Sequence, residues 1–271
     1  MNPFRQLLKR SGSQPPVGTW LMSASPIVAE AIGHAGFDWG VVDMEHAPLD
    51  MREVVHLLQA IAGTRMVPVV RVPWNDATTI KRVLDAGAQT LLVPFVQNAE
   101  EARRAVAATR YPPQGIRGMA EMGRASRFGT VPDYFNSANA SVAVIVQLET
   151  PQAIAQLEAI AAVEGVDALF LGPADLSGAM GHVGQLTHPA VMELMASSAR
   201  RCKALGKPLG TVGGTAEVVA QYRAMGMDFV AIASDLGLLM RAAQAAVKAL
   251  RSQDTEHVHT LASGTQTRPD R

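Results

Sequence analysis

The sequence predicts an α/β fold, a closed (β/α)8 TIM barrel with an N-terminal helix ahead of it and a disordered C-terminal tail behind. Three observations predict it. Short β-branched runs alternate with Ala/Leu/Glu-rich segments of helical periodicity, and alternation of this kind means parallel strands joined by right-handed crossovers. The runs 67–72, 91–96 and 229–233 are apolar on both alternating faces, as strands covered on both sides are. Eight such units within about 250 residues match a closed barrel better than an open sheet. A chain of 271 residues is therefore read as one large domain rather than two.

Taken in order, the first ten residues read as a short amphipathic helix, because charge interrupts their apolar run every few residues, unlike a signal segment. Strand candidates follow at 17–22, 39–44, 66–72, 90–96, 142–148, 168–171, 208–212 and 229–233. The intervening helices begin near Ile27, Asp50, Asp76, Ala99, Pro151, His188, Thr215 and Leu236. One connection is longer: 110–139 is rich in Gly, Pro, Arg and Met, lacks a clear strand, and has the length of a functional loop. The barrel domain is expected over 1–251. Residues 252–271 have almost no apolar content and are expected to be disordered, with His257 and His259 incidental there.

Composition removes whole classes of function. Lys+Arg and Asp+Glu are each 24, so the net charge is zero and no basic excess serves nucleic acid or anionic lipid. The lone Cys202 excludes an intrachain disulfide and cysteine-based metal clusters, which favours a reducing, cytoplasmic setting. No stretch reaches the ~18 uninterrupted apolar residues of a membrane span.

In a (β/α)8 barrel the reactive groups stand at the C-terminal ends of strands. The second strand candidate ends in Asp43, Glu45 and His46, the third in Arg71, the fifth in Gln147 and Glu149, and the sixth in Gly172, Pro173 and Asp175. All five lysines fall elsewhere and Cys202 lies in a helix, so no Schiff-base amine or thiolate nucleophile is offered. What remains is a carboxylate pair. Glu149 and Asp175 are one βα repeat apart and would repel each other at one rim unless a hard divalent cation such as Mg²⁺ or Mn²⁺ joined them. Capping of the following helices is the alternative, and the metal reading is preferred because both acids follow apolar strands. His46, the one histidine at a strand end, suits a general base or a turn hydrogen bond. Arg71 needs an anionic partner, which is either a ligand carboxylate or enolate, or a bridge to Asp43 or Glu45. His182 and His188 are open between capping and substrate contact. The stretch Thr211-Val212-Gly213-Gly214-Thr215 is a weak phosphate-loop signal, since tight βα turns are often glycine-rich.

These strand ends and their neighbours resemble the HpcH/HpaI class II aldolases, metal-dependent enzymes acting on pyruvate. The similar stretches are Ala35-Gly36-Phe37-Asp38-Trp39, Asp43-Met44-Glu45-His46-Ala47-Pro48, Pro68-Val69-Val70-Arg71-Val72 and Lys81 through Ala88. Thr109 through Gly118, Gln147-Leu148-Glu149 and Gly172-Pro173-Ala174-Asp175-Leu176 continue them in the same order, and the resemblance runs from about Gly18 to Leu250. Within the family, 128–135, 181–184 and 234–237 are most similar to the 2-dehydro-3-deoxyglucarate aldolases, with the 4-hydroxy-2-oxoheptanedioate aldolases next. The resemblance implies that Glu149 and Asp175 hold a divalent cation (Mg²⁺, Mn²⁺ or Co²⁺) and that Arg71 stabilises an enolate. It further implies that His46 and Asp85 form an acid–base dyad supported by Asp43, and that Gln147 with Gly172, Pro173 and Ala174 positions ligands and the pyruvate carboxylate. By spacing, Asp85 lies in a helix and reaches an active site only near a subunit boundary. The implied partners are pyruvate and an aldehyde such as tartronate or succinate semialdehyde, in a homohexamer that exchanges its last helix, 236–250, between copies. One departure is Met119-Ala120-Glu121-Met122-Gly123, where the family carries small and polar residues; an acidic side chain there disfavours a dianionic substrate. The rivals are a related lyase acting on an acyl-CoA or phosphoenolpyruvate, and a barrel that binds a ligand without chemistry.

Overall fold

A computed structural model of the chain describes the backbone of residues 2–10 and 14–263. The first half contains α1 (Pro3–Arg10), β1 (Val17–Leu21), α2 (Pro26–His34), β2 (Trp39–Asp43), α3 (Met51–Ile61), β3 (Val67–Arg71), α4 (Ala77–Asp85), β4 (Thr90–Val93) and α5 (Ala99–Thr109). The long connection carries a 3-10 turn (Arg124–Ser126) and α6 (Tyr134–Ser141). After it come β5 (Ala143–Leu148), α7 (Pro151–Ala155), α8 (Leu157–Ala161), β6 (Ala168–Leu171), α9 (Pro173–Ala179) and α10 (Pro189–Leu205), then β7 (Leu209–Gly213), α11 (Ala216–Ala224), β8 (Phe229–Ser234) and α12 (Asp235–Ser263).

Each strand pairs in parallel with the next and β8 closes on β1, which gives the barrel that the alternation predicts. Helix starts follow local chemistry: Ser25, Asp76, Asn98, Thr150 and Thr215 each accept a backbone N–H of the first turn of the helix that follows them. One apolar layer lies between strands and helices, around Leu57, Ile61, Ile80 and Leu91. A second fills the barrel itself with Trp20, Trp39, Phe170 and Phe229. The interior is so crowded that a Cβ on Gly18 would stand 2.3 Å from the Trp39 ring, so only glycine fits beside it.

The strands mostly match the predicted segments, and β4 differs instructively. It ends at Val93 instead of reaching Val96, because Pro94 has no N–H to donate and Phe95 turns away at a φ of +54°. The chain divides into two compact units, Met1–Asp235 and Leu236–Arg271. Helix α12 continues beyond Arg251 to Ser263, since no proline or glycine interrupts the chain before Gly264. Of the expected tail, 264–271 and the side chains of His257 and His259 lie outside the described residues. Among the described residues no helix is long and apolar enough to cross a membrane.

Candidate active site

The pairing of β2 with β3 sets Asp43 opposite Arg71 at the C-terminal rim. Arg71 donates from Nε and Nη2 to the two oxygens of Asp43 at 2.8 and 2.7 Å, and Asp43 is completely buried. Its Nη1 lies 3.0 Å from Oε2 of Glu45 without hydrogen-bond alignment, so that oxygen stays buried without a hydrogen-bond partner. The guanidinium also stands 5.5 Å from the centre of the Trp20 ring. Burial works against the charge of Arg71, but the hydrogen bond and charge of Asp43 outweigh it and hold its pKa above the ordinary value. Of the two partners that the sequence leaves open for Arg71, the chain supplies the internal one, and both Asp43 and Glu45 take part.

Across the rim, β5 carries the buried Gln147 near its end and the buried Glu149 follows the strand directly. Gln147 donates its amide Nε2 to Oε1 of Glu149 and leaves its own Oε1 buried without a partner. The junction of β6 and α9 closes over them at Gly172, where a Cβ would stand 2.7 Å from Oε1 of Glu149 and 2.9 Å from Nε2 of Gln147. Any other residue at 172 would push the carboxylate aside. Burial, followed by the charges of Glu45 and Asp175, pushes the Glu149 carboxyl up to about 7, against weaker opposing pulls from Arg71 and Gln147. Burial likewise raises Glu45 despite Arg71 and His46.

Neither acid of the metal reading is an N-cap. Thr150 caps α7 by accepting from the N–H of Ala153 at 3.1 Å, and the residue before α9 is Gly172, which leaves Asp175 in the exposed first turn. Pro173 begins α9, with Ala174 between it and Asp175. Three carboxylates, Glu45, Glu149 and Asp175, thus act on one another around a single buried arginine. This donor set fits a hard divalent cation: oxygen ligands only, like charges in need of compensation, an unpaired amide oxygen and a backbone cradle without a side chain. Among the described residues no group of three or more His, Cys, Asp or Glu gathers tightly enough to coordinate an ion alone. A pair of carboxylates with water and substrate oxygens needs no such group.

His46 and Asp85 do not meet within one chain. The His46 side chain is 59% exposed, with Nε2 3.9 Å from Oε1 of Glu45. Helix α4 leaves the C-terminal rim and runs back, so Asp85 at its end accepts instead from Nη2 of Arg117 at 2.7 Å. His182 and His188 stack on each other 3.5 Å apart, and Nδ1 of His188 accepts from the N–H of Ala190 at the start of α10. Thr215 of the glycine-rich stretch caps α11. Trp20 carries no site signal in the sequence, and Glu45, expected only as a bridge to Arg71, also acts on Glu149.

The family model described as HpcH/HpaI aldolase/citrate lyase matches residues 17–242. The chain is 52% identical over 247 residues to a 2-dehydro-3,6-dideoxy-6-sulfogluconate aldolase of Pseudomonas putida, covering 91% of this chain and 96% of that protein. It is 46% identical over 243 residues to a 5-keto-4-deoxy-D-glucarate aldolase of Salmonella arizonae, covering 90% and 94%. A crystal structure of an HpcH/HpaI aldolase/citrate lyase family protein from Burkholderia cenocepacia J2315 is similar at a TM-score of 0.89 and 43% identity, covering 93% of this chain and all of that one.

Proposed function

The chain belongs to the HpcH/HpaI aldolase/citrate lyase family, and on that premise we propose that it is a class II aldolase that cleaves a 4-hydroxy-2-oxo acid reversibly to pyruvate and an aldehyde. The observation that carries this reading is Glu149, a buried carboxyl pushed up to about 7 and held by Gln147 and Gly172 beside Glu45, Asp175 and Arg71. Glu149 and Asp175 would hold the divalent cation, Mg²⁺, Mn²⁺ or Co²⁺. When bound, such a cation polarises the 2-oxo group as a Lewis acid.

The rest falls to the chain's own side chains. In cleavage a base takes the C4 hydroxyl proton, the C3–C4 bond breaks, and its electron pair becomes the enolate of pyruvate, which is then protonated at C3. Arg71, fixed by Asp43, offers preorganised positive charge to the enolate oxygen, the kind of interaction that contributes most when charge develops in a dry site. His46, exposed at the rim, moves the proton. Because Asp85 ends α4, away from the rim that carries His46, the dyad with His46 would take its Asp85 from another copy. A homohexamer with exchanged last helices is the assembly we read, and α12, taken by itself, exposes Leu239, Met240, Val247 and Leu250 in support. The Gly172-Pro173-Ala174 turn takes the pyruvate carboxylate. The aldehyde is one such as tartronate or succinate semialdehyde, and a panel of acceptors decides between them, with Glu121 as the residue to vary.

Exchange of the pyruvate methyl protons in D₂O, followed by NMR, tests the reading. Exchange is expected with a divalent cation and should vanish with EDTA and in Glu149→Ala. Exchange that survived both would overturn the metal-enolate reading, and no exchange under any divalent cation would favour a ligand-binding barrel.

A further inference from the structure

The loop that leaves β4 grips the segment that carries Glu149. The β4–β5 ladder runs as far as Val93 opposite Val146. Beyond it, the N–H of Val96 donates to the carbonyl of Gln147 at 3.0 Å. Oε1 of the next residue, Gln97, accepts from the Thr150 hydroxyl at 2.6 Å. Two adjacent residues of one loop thus bracket Glu149, one bonded to the residue two places before it and the other to the residue after it.

The grip is itself held. The N–H of Gln97 donates to Oε2 of Glu101 at 2.8 Å, and Nδ2 of Asn98 donates to Oε1 of the same carboxylate at 3.3 Å. The loop after β3 adds a tie, because Nδ2 of Asn75 donates to the Glu101 carbonyl at 2.9 Å. On the other side of the bond, the Thr150 oxygen accepts from the N–H of Ala153 at 3.1 Å, and its one proton goes to Gln97. Every group at the junction therefore has a fixed direction.

One atom there is left over. Nε2 of Gln97 is buried with no hydrogen-bond partner. An apolar side chain of the same length would fill the place without that cost, so the amide is present for its oxygen. That oxygen has one partner, Thr150, and the residue before Thr150 is the acid that Gly172 and Gln147 confine from their own side.

We propose that Gln97 is a positioning residue, which through Thr150 sets the Glu149 carboxylate where it meets the divalent cation. The inference rests on the metal-dependent reading of Glu149 and extends it to a residue that acts only through its neighbour. Two carboxylates that must share one ion tolerate little displacement, and groups that orient metal ligands are commonly worth about tenfold or more in metal affinity.

Calorimetric titration of the full chain with Mn²⁺, beside pyruvate proton exchange and urea unfolding in EDTA, tests it. Gln97→Leu should raise the Mn²⁺ dissociation constant about tenfold and leave the urea midpoint near that of the parent. At saturating Mn²⁺ its exchange rate should return to within about twofold of the parent, because the loss lies in holding the ion and not in the chemistry. Thr150→Val should lose the same affinity and also some stability, since it removes the cap of α7. Thr150→Ser keeps the hydroxyl and should retain the affinity, and the Gln97→Leu/Thr150→Val double variant should bind Mn²⁺ no more weakly than Thr150→Val alone, since both break one bond. If the parent binds Mn²⁺ and exchanges protons while Gln97→Leu keeps the full affinity, the positioning role is overturned and the aldolase reading stands. A parent that neither binds Mn²⁺ nor exchanges protons would overturn both.

Discussion

The two rims of the barrel obey opposite rules. At the N-terminal rim, Phe4 of α1 enters the barrel and packs edge-on against Trp39 and Phe229, at 6.0 and 5.3 Å. Asn2, fully buried, donates to the carbonyls of Gln89 and Ser141 at 2.8 and 2.9 Å and accepts the N–H groups of Phe4 and Arg5. Arg5 makes a two-pronged bond to Asp167 at 2.6 and 3.0 Å and reaches the carbonyls of Ala140 and Val142. At the C-terminal rim, Glu45 and Gln147 each keep a buried oxygen without a hydrogen-bond partner, and three carboxylates crowd one arginine. Satisfied polar groups hold a fold together, whereas buried unsatisfied ones cost free energy and persist where chemistry needs them. Arg117, whose Nε is buried without a partner beside Asp85, departs from the rule of the N-terminal rim.

Removing one group from each rim sharpens this contrast. Arg71→Ala should have the largest effect, since it leaves Asp43 buried without a cation and strips Glu45 of its neighbour; breaking such a buried pair costs up to about 5 kcal/mol. Urea unfolding should show that loss together with loss of pyruvate proton exchange, and a change below about 1 kcal/mol would mean the pair contributes nothing. Phe4→Ala should cost about 3–4 kcal/mol through the cavity it leaves between Trp39 and Phe229. Exchange per folded molecule should not change. If it fell, the two rims would be coupled and the contrast between them would fail.

The barrel was legible because its strands are apolar on both faces, and β6 occupies the predicted span. The place of Gln147, Glu149 and Arg71 at the rim was legible because a polar residue closing an apolar strand has one place to go. The choice of partner was not, because spacing alone leaves Arg71 open between a ligand and a bridge to Asp43 or Glu45. Glu45 sits in a turn between Met44 and His46, where no periodicity says which way a side chain points. Helix α6, with its run of Asn and Ser, is a weak helix by propensity; contacts of Tyr134 and Phe135 with Tyr111, distant in sequence, accompany it. Arg117 is hidden for a related reason, since it lies in the Gly- and Pro-rich connection and becomes buried only through Asp85 and Tyr111.

Glu149→Gln isolates what the unsatisfied rim costs. In the folded, metal-free chain the carboxyl sits at about 7 against an ordinary 4.5, so between those pH values the native state binds more protons than the unfolded one. Stability then falls as pH rises through this window, and the loss is complete above the folded value. Glutamine keeps the shape and cannot ionise. With EDTA present, Glu149→Gln should therefore unfold at higher urea than the parent at pH 8, by ~2–3 kcal/mol, and the gain should vanish below pH 4.5, where the parent carboxyl is neutral in both states. Mg²⁺ added to the parent alone should narrow the gap at pH 8, because a ligand bound only by the folded state stabilises it. A variant no more stable than the parent at pH 8 would show that Glu149 ionises at the rim without penalty, and the two rims would then differ in chemistry but not in cost.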